Sequence, residues 1–262
     1  MSKGIVNKIE TFASLDGGGI RVAVFLQGCP LNCVYCHNPD ARLFFPSIEE
    51  KPRPYVVTSP SKGKKNFSYT VHTPESLTSF LLRYKSYFRH GGVTFSGGEP
   101  LKQAEFLTET AVLLKKNNIN IALDTSCCVL NDQVKTLISL CDVILADLKF
   151  PTAEDYEKYV GGNLDDVKLF LSYLVSVGKK FTLRTVVVPG INDSREYISL
   201  YADFLKENKL LPFAEKYELL PFHTMAFSKY EDYGIPNRLS SRPAADKAEV
   251  EKLNLYLDSL LR

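Results

Sequence analysis

The sequence predicts an α/β protein built as a partial, open (β/α)6 barrel, and three observations lead there. Six short β-rich runs recur along the 262 residues. Each is followed by a turn or Gly-rich stretch and then a helical pattern, an alternation that implies a parallel sheet with right-handed crossovers. The composition, 45% hydrophobic and 24% charged, supplies one sizeable core, so residues 1–262 are expected to form a single domain.

The strands are expected at 21–27, 92–96, 119–124, 142–149, 180–188 and 216–221, where Val, Ile, Leu and Phe crowd together as in strands covered on both faces. The first helix is expected over 75–89. There Leu77, Phe80, Leu81, Tyr84 and Phe88 recur at helical spacing behind Thr73-Pro74, a cap followed by a first-turn proline. Further helical patterns cover 101–116, 132–140, 164–177, 194–207 and 244–261. Residues 46–72 break the alternation with Pro46, Pro52, Pro54 and Pro60 and a basic group at Lys62, Lys64 and Lys65. This stretch reads as a surface insertion; its lysines fit a docking surface or, more simply, a solvated loop.

A formal net charge of +2 with no long block of one sign leaves no footprint for nucleic acid or an anionic membrane. Residues 1–12 mix Lys3, Lys8 and Glu10 with apolar residues, unlike a signal peptide. No window approaches the roughly 18 apolar residues that cross a bilayer, so a cytoplasmic protein is expected.

The six cysteines divide into a tight trio, Cys29, Cys33 and Cys36, and three distant ones, Cys127, Cys128 and Cys141, set in or beside apolar runs. The distant three read as small buried hydrophobes. The trio, spaced C-x3-C-x2-C directly after an apolar strand, reads as metal ligation, since three soft thiolates suit zinc or an iron–sulfur cluster. A [4Fe–4S] cluster usually takes four cysteines, so a trio leaves one iron open to another ligand. Zinc held by the trio with His37 is the rival, awkward because Cys36 and His37 are neighbours in the chain.

That spacing resembles the signature of the radical S-adenosylmethionine (SAM) enzymes. The resemblance implies a [4Fe–4S] cluster on Cys29, Cys33 and Cys36, with SAM chelated through its amino and carboxylate groups to the open iron. Reduction then cleaves SAM to methionine and a radical that abstracts a hydrogen atom. Ser96-Gly97-Gly98-Glu99-Pro100, at the end of the second strand, resembles the element that holds the SAM amino group: two glycines give room for a ligand, and Glu99 can accept from an ammonium.

Within that family, Asp16-Gly17-Gly18-Gly19-Ile20-Arg21 and Cys36-His37-Asn38-Pro39-Asp40 resemble the glycyl-radical-enzyme activating enzymes, most closely the pyruvate formate-lyase-activating branch. Matches at Asp124-Thr125, Asp147-Leu148-Lys149, Leu183-Arg184 and Leu219-Leu220-Pro221-Phe222-His223 extend it along nearly the whole chain. The resemblance implies that Lys149, Arg184 and His223 contact SAM. It also implies that Asp124, Thr125 and Asp147 form a monovalent-cation site, and that Asp16, Gly17, Gly19 and Arg21 meet the substrate peptide. The implied partners are a glycyl-radical enzyme and a flavodoxin or ferredoxin electron donor.

Two departures stand out. Gly18 replaces the usual Pro, which should loosen the peptide loop. Ser126-Cys127 replaces the usual Asn-Gly, which should remove the turn's φ-permissive residues. Residues 46–72 carry no cysteine and cannot build the ferredoxin-like clusters of many related activators. An activating enzyme for a different glycyl-radical enzyme, a radical SAM enzyme with a small-molecule substrate, and a non-catalytic zinc- or cluster-binding module are the other readings.

Overall fold

The computed structural model describes residues 2–14, 16–42, 55–59, 63–67, 69–88 and 90–262. All six expected strands are present: β2 (Arg21–Leu26), β6 (Gly92–Gly97), β7 (Asn120–Thr125), β8 (Val143–Asp147), β9 (Phe181–Val187) and β10 (Ala214–Pro221). They lie side by side in chain order, each parallel to the next. The sheet stays open at β10 and continues beyond β2 into two antiparallel strands, β1 (Gly4–Ala13) and β5 (Thr70–His72).

Side chains alternate along these strands between two different interiors. Val93, Phe95, Ile121, Leu123, Ile144 and Leu183 belong to one continuous apolar core. On the other face, Ser96, Asp124, Asp147 and Arg184 are linked by polar contacts, and Thr94 accepts from Arg21. The concave side of the barrel is thus polar, and that placement creates the site.

The helices are α1 (Pro74–Leu82), α2 (Ala104–Lys116), α3 (Asp132–Leu140), α4 (Ala153–Val160), α5 (Leu164–Ser176), α6 (Arg195–Glu207), α7 (Phe227–Asp232) and α8 (Lys247–Leu261). Their starts are chemically marked. Asn131 accepts from the Val134 N–H, Ser194 from that of Tyr197, and Asp246 from those of Ala248 and Glu249. Each such cap contributes about 1 kcal/mol.

Three features depart from expectation. The first helix ends at Leu82 and is followed by a 3₁₀ turn at Lys85–Tyr87; Arg89 lies outside the described residues. Strands β1 and β5, with the short helices α4 and α7, were not anticipated. In β1 burial runs from buried to exposed along the strand instead of alternating, so period two is blurred. The stretch 46–72 contains a hairpin of β3 (Tyr55–Ser59) and β4 (Gly63–Phe67) before β5. Pro46, Pro52, Pro54, Pro60 and Lys62 lie outside the described residues. Among the described residues no helix is long and apolar enough to cross a membrane.

Candidate functional site

The cysteine loop leaves β2 through Gly28, whose φ of 99° needs glycine. The loop closes on itself: the Gly28 N–H donates to the Ala41 carbonyl at 2.7 Å and the Cys29 N–H to that of Arg42 at 3.2 Å. Its middle hangs on the end of α4, where Asn32 and Val34 N–H groups donate to the carbonyls of Val160 (2.8 Å) and Tyr159 (2.9 Å). A third anchor comes from α7. Tyr230 Oη donates to the Cys36 carbonyl at 2.8 Å, and Lys229 Nζ to the His37 carbonyl (3.2 Å), Asn38 Oδ1 (3.0 Å) and Asp40 Oδ1 (3.2 Å).

Cys29, Cys33 and Cys36 are free and partly buried. Burial pushes all three thiols up, Cys33 to about 11. Thiols in that setting stay protonated until a metal cation binds the sulfur and displaces the proton to solvent, which fits a soft-metal centre. His37, the fourth ligand of the zinc alternative, packs instead on His223, with ring centroids 3.5 Å apart. Burial, and then His223, lower it to about 4, so it is neutral at pH 7. Among the described residues no three His, Cys, Asp or Glu side chains are placed to hold one ion. A polynuclear cluster, whose cysteines bind different irons, does not require that convergence.

Gly97 and Gly98 press the end of β6 against this loop. A Cβ on Gly97, at φ 116°, would lie 2.2 Å from the Leu26 nitrogen; one on Gly98 would lie 2.5 Å from the Gly28 oxygen. The room that glycine provides here is filled by the chain's own backbone, a tighter constraint than the ligand approach expected. Glu99 is fully buried and accepts from Thr125 Oγ1 (2.8 Å), the Ser126 N–H (2.8 Å), the Leu101 N–H (3.1 Å) and Ser126 Oγ. Its oxygens brace the turn after β7. Burial raises its pKa, while the bonds from Ser126, Leu101 and Thr125 oppose that rise.

That turn keeps its left-handed backbone. Cys127, where glycine was expected, adopts φ 61° with its side chain fully buried, so losing the permissive residue did not abolish the conformation. Cys141 is buried as expected and Cys128 is half-buried against the core.

Asp124, Asp147, Lys149 and Arg184 meet on the concave face. Arg184 Nη2 pairs with Asp124 Oδ1 and lies 3.3 Å from Asp147 Oδ1; Lys149 Nζ holds Asp147 Oδ2 at 2.9 Å, and Ser96 Oγ donates to Asp124 Oδ2 at 2.7 Å. Burial raises Asp124 to about 6 against the pull of Arg184. Burial works the same way on Asp147, but Lys149 and Arg184 outweigh it and hold that carboxyl below its usual value. Thr125, the third residue of the expected cation site, gives its hydroxyl to Glu99, and Arg184 occupies the position between the two aspartates.

Four of the seven buried polar atoms without a partner among the described residues belong to this end of the sheet: Arg184 Nε, His223 Nδ1, Tyr35 Oη and Tyr156 Oη. Each such atom costs about 1–3 kcal/mol if left unmet. Their concentration around the cysteines and Arg184 marks a place built for a polar ligand.

The loop before β2 approaches from the other end. Gly17, Gly18 and Gly19 all have positive φ, and a Cβ on Gly19 would overlap the His90 carbonyl at 1.8 Å. Gly18 has nothing within 4 Å of such an atom. Asp16 reaches the concave face, with Oδ1 3.8 Å from Arg184 Nη1. Arg21 is only 1% exposed and is spent within the chain: Nε donates to Thr94 Oγ1 (2.8 Å), Nη2 to the Val93 carbonyl (2.8 Å), and Nη1 to the carbonyls of Gly17 (3.4 Å) and Gly18 (3.3 Å). It holds the loop from beneath. A cleft of about 520 Å³ lined by Gly17, Gly18, Gly19, Arg21, Phe88 and His90 opens at this end of the strands.

Residues 23–200 match the family model described as the radical SAM superfamily. The chain belongs to that superfamily. Membership implies a [4Fe–4S] cluster and SAM, which fit the three thiols and the unpartnered groups beside them. The chain is 36% identical, over the full length of both proteins, to a pyruvate formate-lyase-activating enzyme of Clostridium pasteurianum. It is 31% identical to one of Staphylococcus epidermidis, over 98% of this chain and 96% of the relative. Among solved structures, a domain of a pyruvate-formate lyase-activating enzyme from Bacteroides vulgatus aligns with TM-score 0.52 at 21% identity, over 65% of this chain and 94% of that one. Streptococcus suis SuiB bound to its precursor peptide gives 0.58 at 16%, over 89% and 44%. These two likenesses concern the fold.

Sequence reasoning missed Ser126, Tyr156, Lys229 and Tyr230. Ser126 sits beside a recognised motif. The other three are joined to the site only by folding, and no local pattern marks them.

Proposed function

We propose that this radical SAM chain is the activating enzyme of a glycyl-radical enzyme of the pyruvate formate-lyase type, working in the cytoplasm. The observation that carries the reading is the meeting of the three-thiol loop with the unpartnered nitrogens of Arg184 and His223 at the ends of the parallel strands. Full-length relatives bearing the activating-enzyme name support it. When bound, the reduced cluster and SAM supply the one-electron chemistry that removes a hydrogen atom from a glycine Cα of the partner.

The chain's own residues orient and protect. Cys29, Cys33 and Cys36 hold the cluster. Gly97 and Gly98 seat their loop, and Glu99 fixes the turn of Thr125 and Ser126 beside it. Arg184 Nε and His223 Nδ1 offer hydrogen bonds to SAM, while Lys149, pinned by Asp147, presents a cation to its carboxylate. Asp16 and the loop of Gly17 and Gly19 receive the peptide, with Arg21 positioning that loop. A monovalent cation at Asp124 and Asp147 competes with Arg184 for the same carboxylates, so dependence of SAM cleavage on added K⁺ tests that element. A flavodoxin or ferredoxin supplies the electron.

The test is anaerobic reconstitution with iron and sulfide, reduction, addition of SAM, and assay of 5′-deoxyadenosine in wild type and Cys33→Ala. A panel of glycyl-radical enzymes is then scored by EPR. Cysteine-dependent cleavage with a glycyl signal in pyruvate formate-lyase supports the proposal. A signal only in another partner moves the substrate assignment, and turnover of a small molecule without any protein partner overturns it.

A further inference from the structure

Phe12 is held out of the protein at a local cost. In β1 the register sets Glu10 opposite Ala23 and then Ala13 opposite Arg21, so Thr11 and Phe12 together face Val22 alone, a β-bulge. Phe12 sits in it at φ 65°, a left-handed conformation that glycine adopts freely and a bulky side chain does not. Bulges re-aim side chains, and this one turns a phenylalanine outward, to an exposure of 54%. Such strain, at a residue that adds nothing to the core, points to a use at the surface.

Phe12 does not stand alone. Its ring meets that of Tyr87 edge-on, with centroids 5.2 Å apart, and Tyr87 is itself 51% exposed. Ile20, 45% exposed, completes the group. The turn after Tyr87 returns through Gly91, whose N–H donates to the Phe88 carbonyl at 3.2 Å and where an added Cβ would lie 1.9 Å from the Ile20 oxygen. Other exposed apolar side chains, such as Val112, Leu169 and Leu255, stand singly on α2, α5 and α8 and need no explanation.

The group borders the cleft of about 520 Å³ described above. The segments that carry it also line that cleft, through Gly17, Gly18 and Gly19 on one side and Phe88 and His90 on the other. Half-exposed side chains around a rim do not enclose a small molecule, which takes a concave site. They suit the flat contact of another protein, where aromatic residues serve as anchors. A second copy of this chain seated there would close the cleft that the proposed peptide has to enter, so the occupant is the substrate protein itself.

We propose that Phe12, Ile20 and Tyr87 dock the folded body of the glycyl-radical enzyme beside the cleft that receives its glycine segment. This rests on the activating-enzyme reading above.

The experiment compares reconstituted wild type with Phe12→Gly and Tyr87→Ser. Two substrates are used: the glycyl-radical enzyme that gives the EPR signal in the panel above, and a short peptide spanning its glycine segment. Glycine accepts φ 65°, so Phe12→Gly removes the ring without adding strain. The expected result is equal iron content, circular dichroism and 5′-deoxyadenosine formation with the peptide. For radical formation in the intact partner, KM should rise about tenfold in each variant, the scale of an aromatic anchor, with kcat unchanged. An unchanged KM in both variants overturns the inference. An equal loss on peptide and intact partner also overturns it, because these side chains would then grip the glycine segment. Sedimentation that shows a wild-type dimer dissociated by either variant overturns it in favour of self-association. A wild type that cleaves SAM but leaves a glycyl signal in no member of the panel overturns the activating-enzyme reading instead.

Discussion

Arg184 is where single side chains matter most. Two partly buried carboxylates, Asp124 and Asp147, share its guanidinium, so removing that charge leaves them facing each other. Arg184→Met should destabilise the protein in urea unfolding by less than the ~3–5 kcal/mol of breaking a fully buried pair, because solvent screens the two carboxylates in part. Asp124 supplies a pH signature. Its pKa is about 6 in the folded chain against 3.8 ordinarily, so the folded state takes up the proton first. Its contribution to stability is full below pH 3.8 and is lost as the pH rises through 6. Unfolding free energies measured from pH 4 to pH 7 should therefore move in favour of Asp124→Asn, relative to wild type, as the pH rises. Cys127 and Cys141 give a simpler check. Both are buried, and burial raises the Cys141 thiol to about 12, so iodoacetamide at pH 8 should label them only after unfolding.

Among the elements, the cysteine loop is held by three neighbours: the end of β6, the end of α4, and α7. Gly98→Ala would drive a methyl group into the Gly28 and Ala41 carbonyls, 2.5 and 2.6 Å away. The expected outcome is a folded protein whose reconstituted iron content falls well below that of wild type. The same packing explains what the sequence disclosed and what it concealed. C-x3-C-x2-C and Gly-Gly-Glu are contiguous, and the six parallel strands carry dense apolar runs, so both were legible. The α7 latch was not, because Lys229 and Tyr230 look like ordinary surface residues until folding brings them to the loop. Helix α4 left capping marks, Thr152 before it and Gly161 at φ 68° after it, but its eight residues are too few for a clear period. Arg21 was read as a peptide contact, yet a buried arginine bonded to its own chain's carbonyls has no distinguishing spacing in sequence.

At the scale of the molecule, one apolar core runs from Val6 in β1 to Leu257 in α8. A single core predicts a single cooperative transition, so near- and far-ultraviolet dichroism should melt together; two separated transitions would contradict a one-domain chain. The latch from α7 has a further consequence, in the order of events during biosynthesis. Lys229 grips its acceptors in the loop from 189 to 192 residues downstream. A ribosome has therefore displayed all three cysteines long before it makes the residue that fastens them. Iron delivered to the nascent chain would meet an unfastened loop, so durable metallation has to follow translation of α7. Pulse-labelled chains arrested before residue 227 should lose iron to a mild chelator that full-length chains resist.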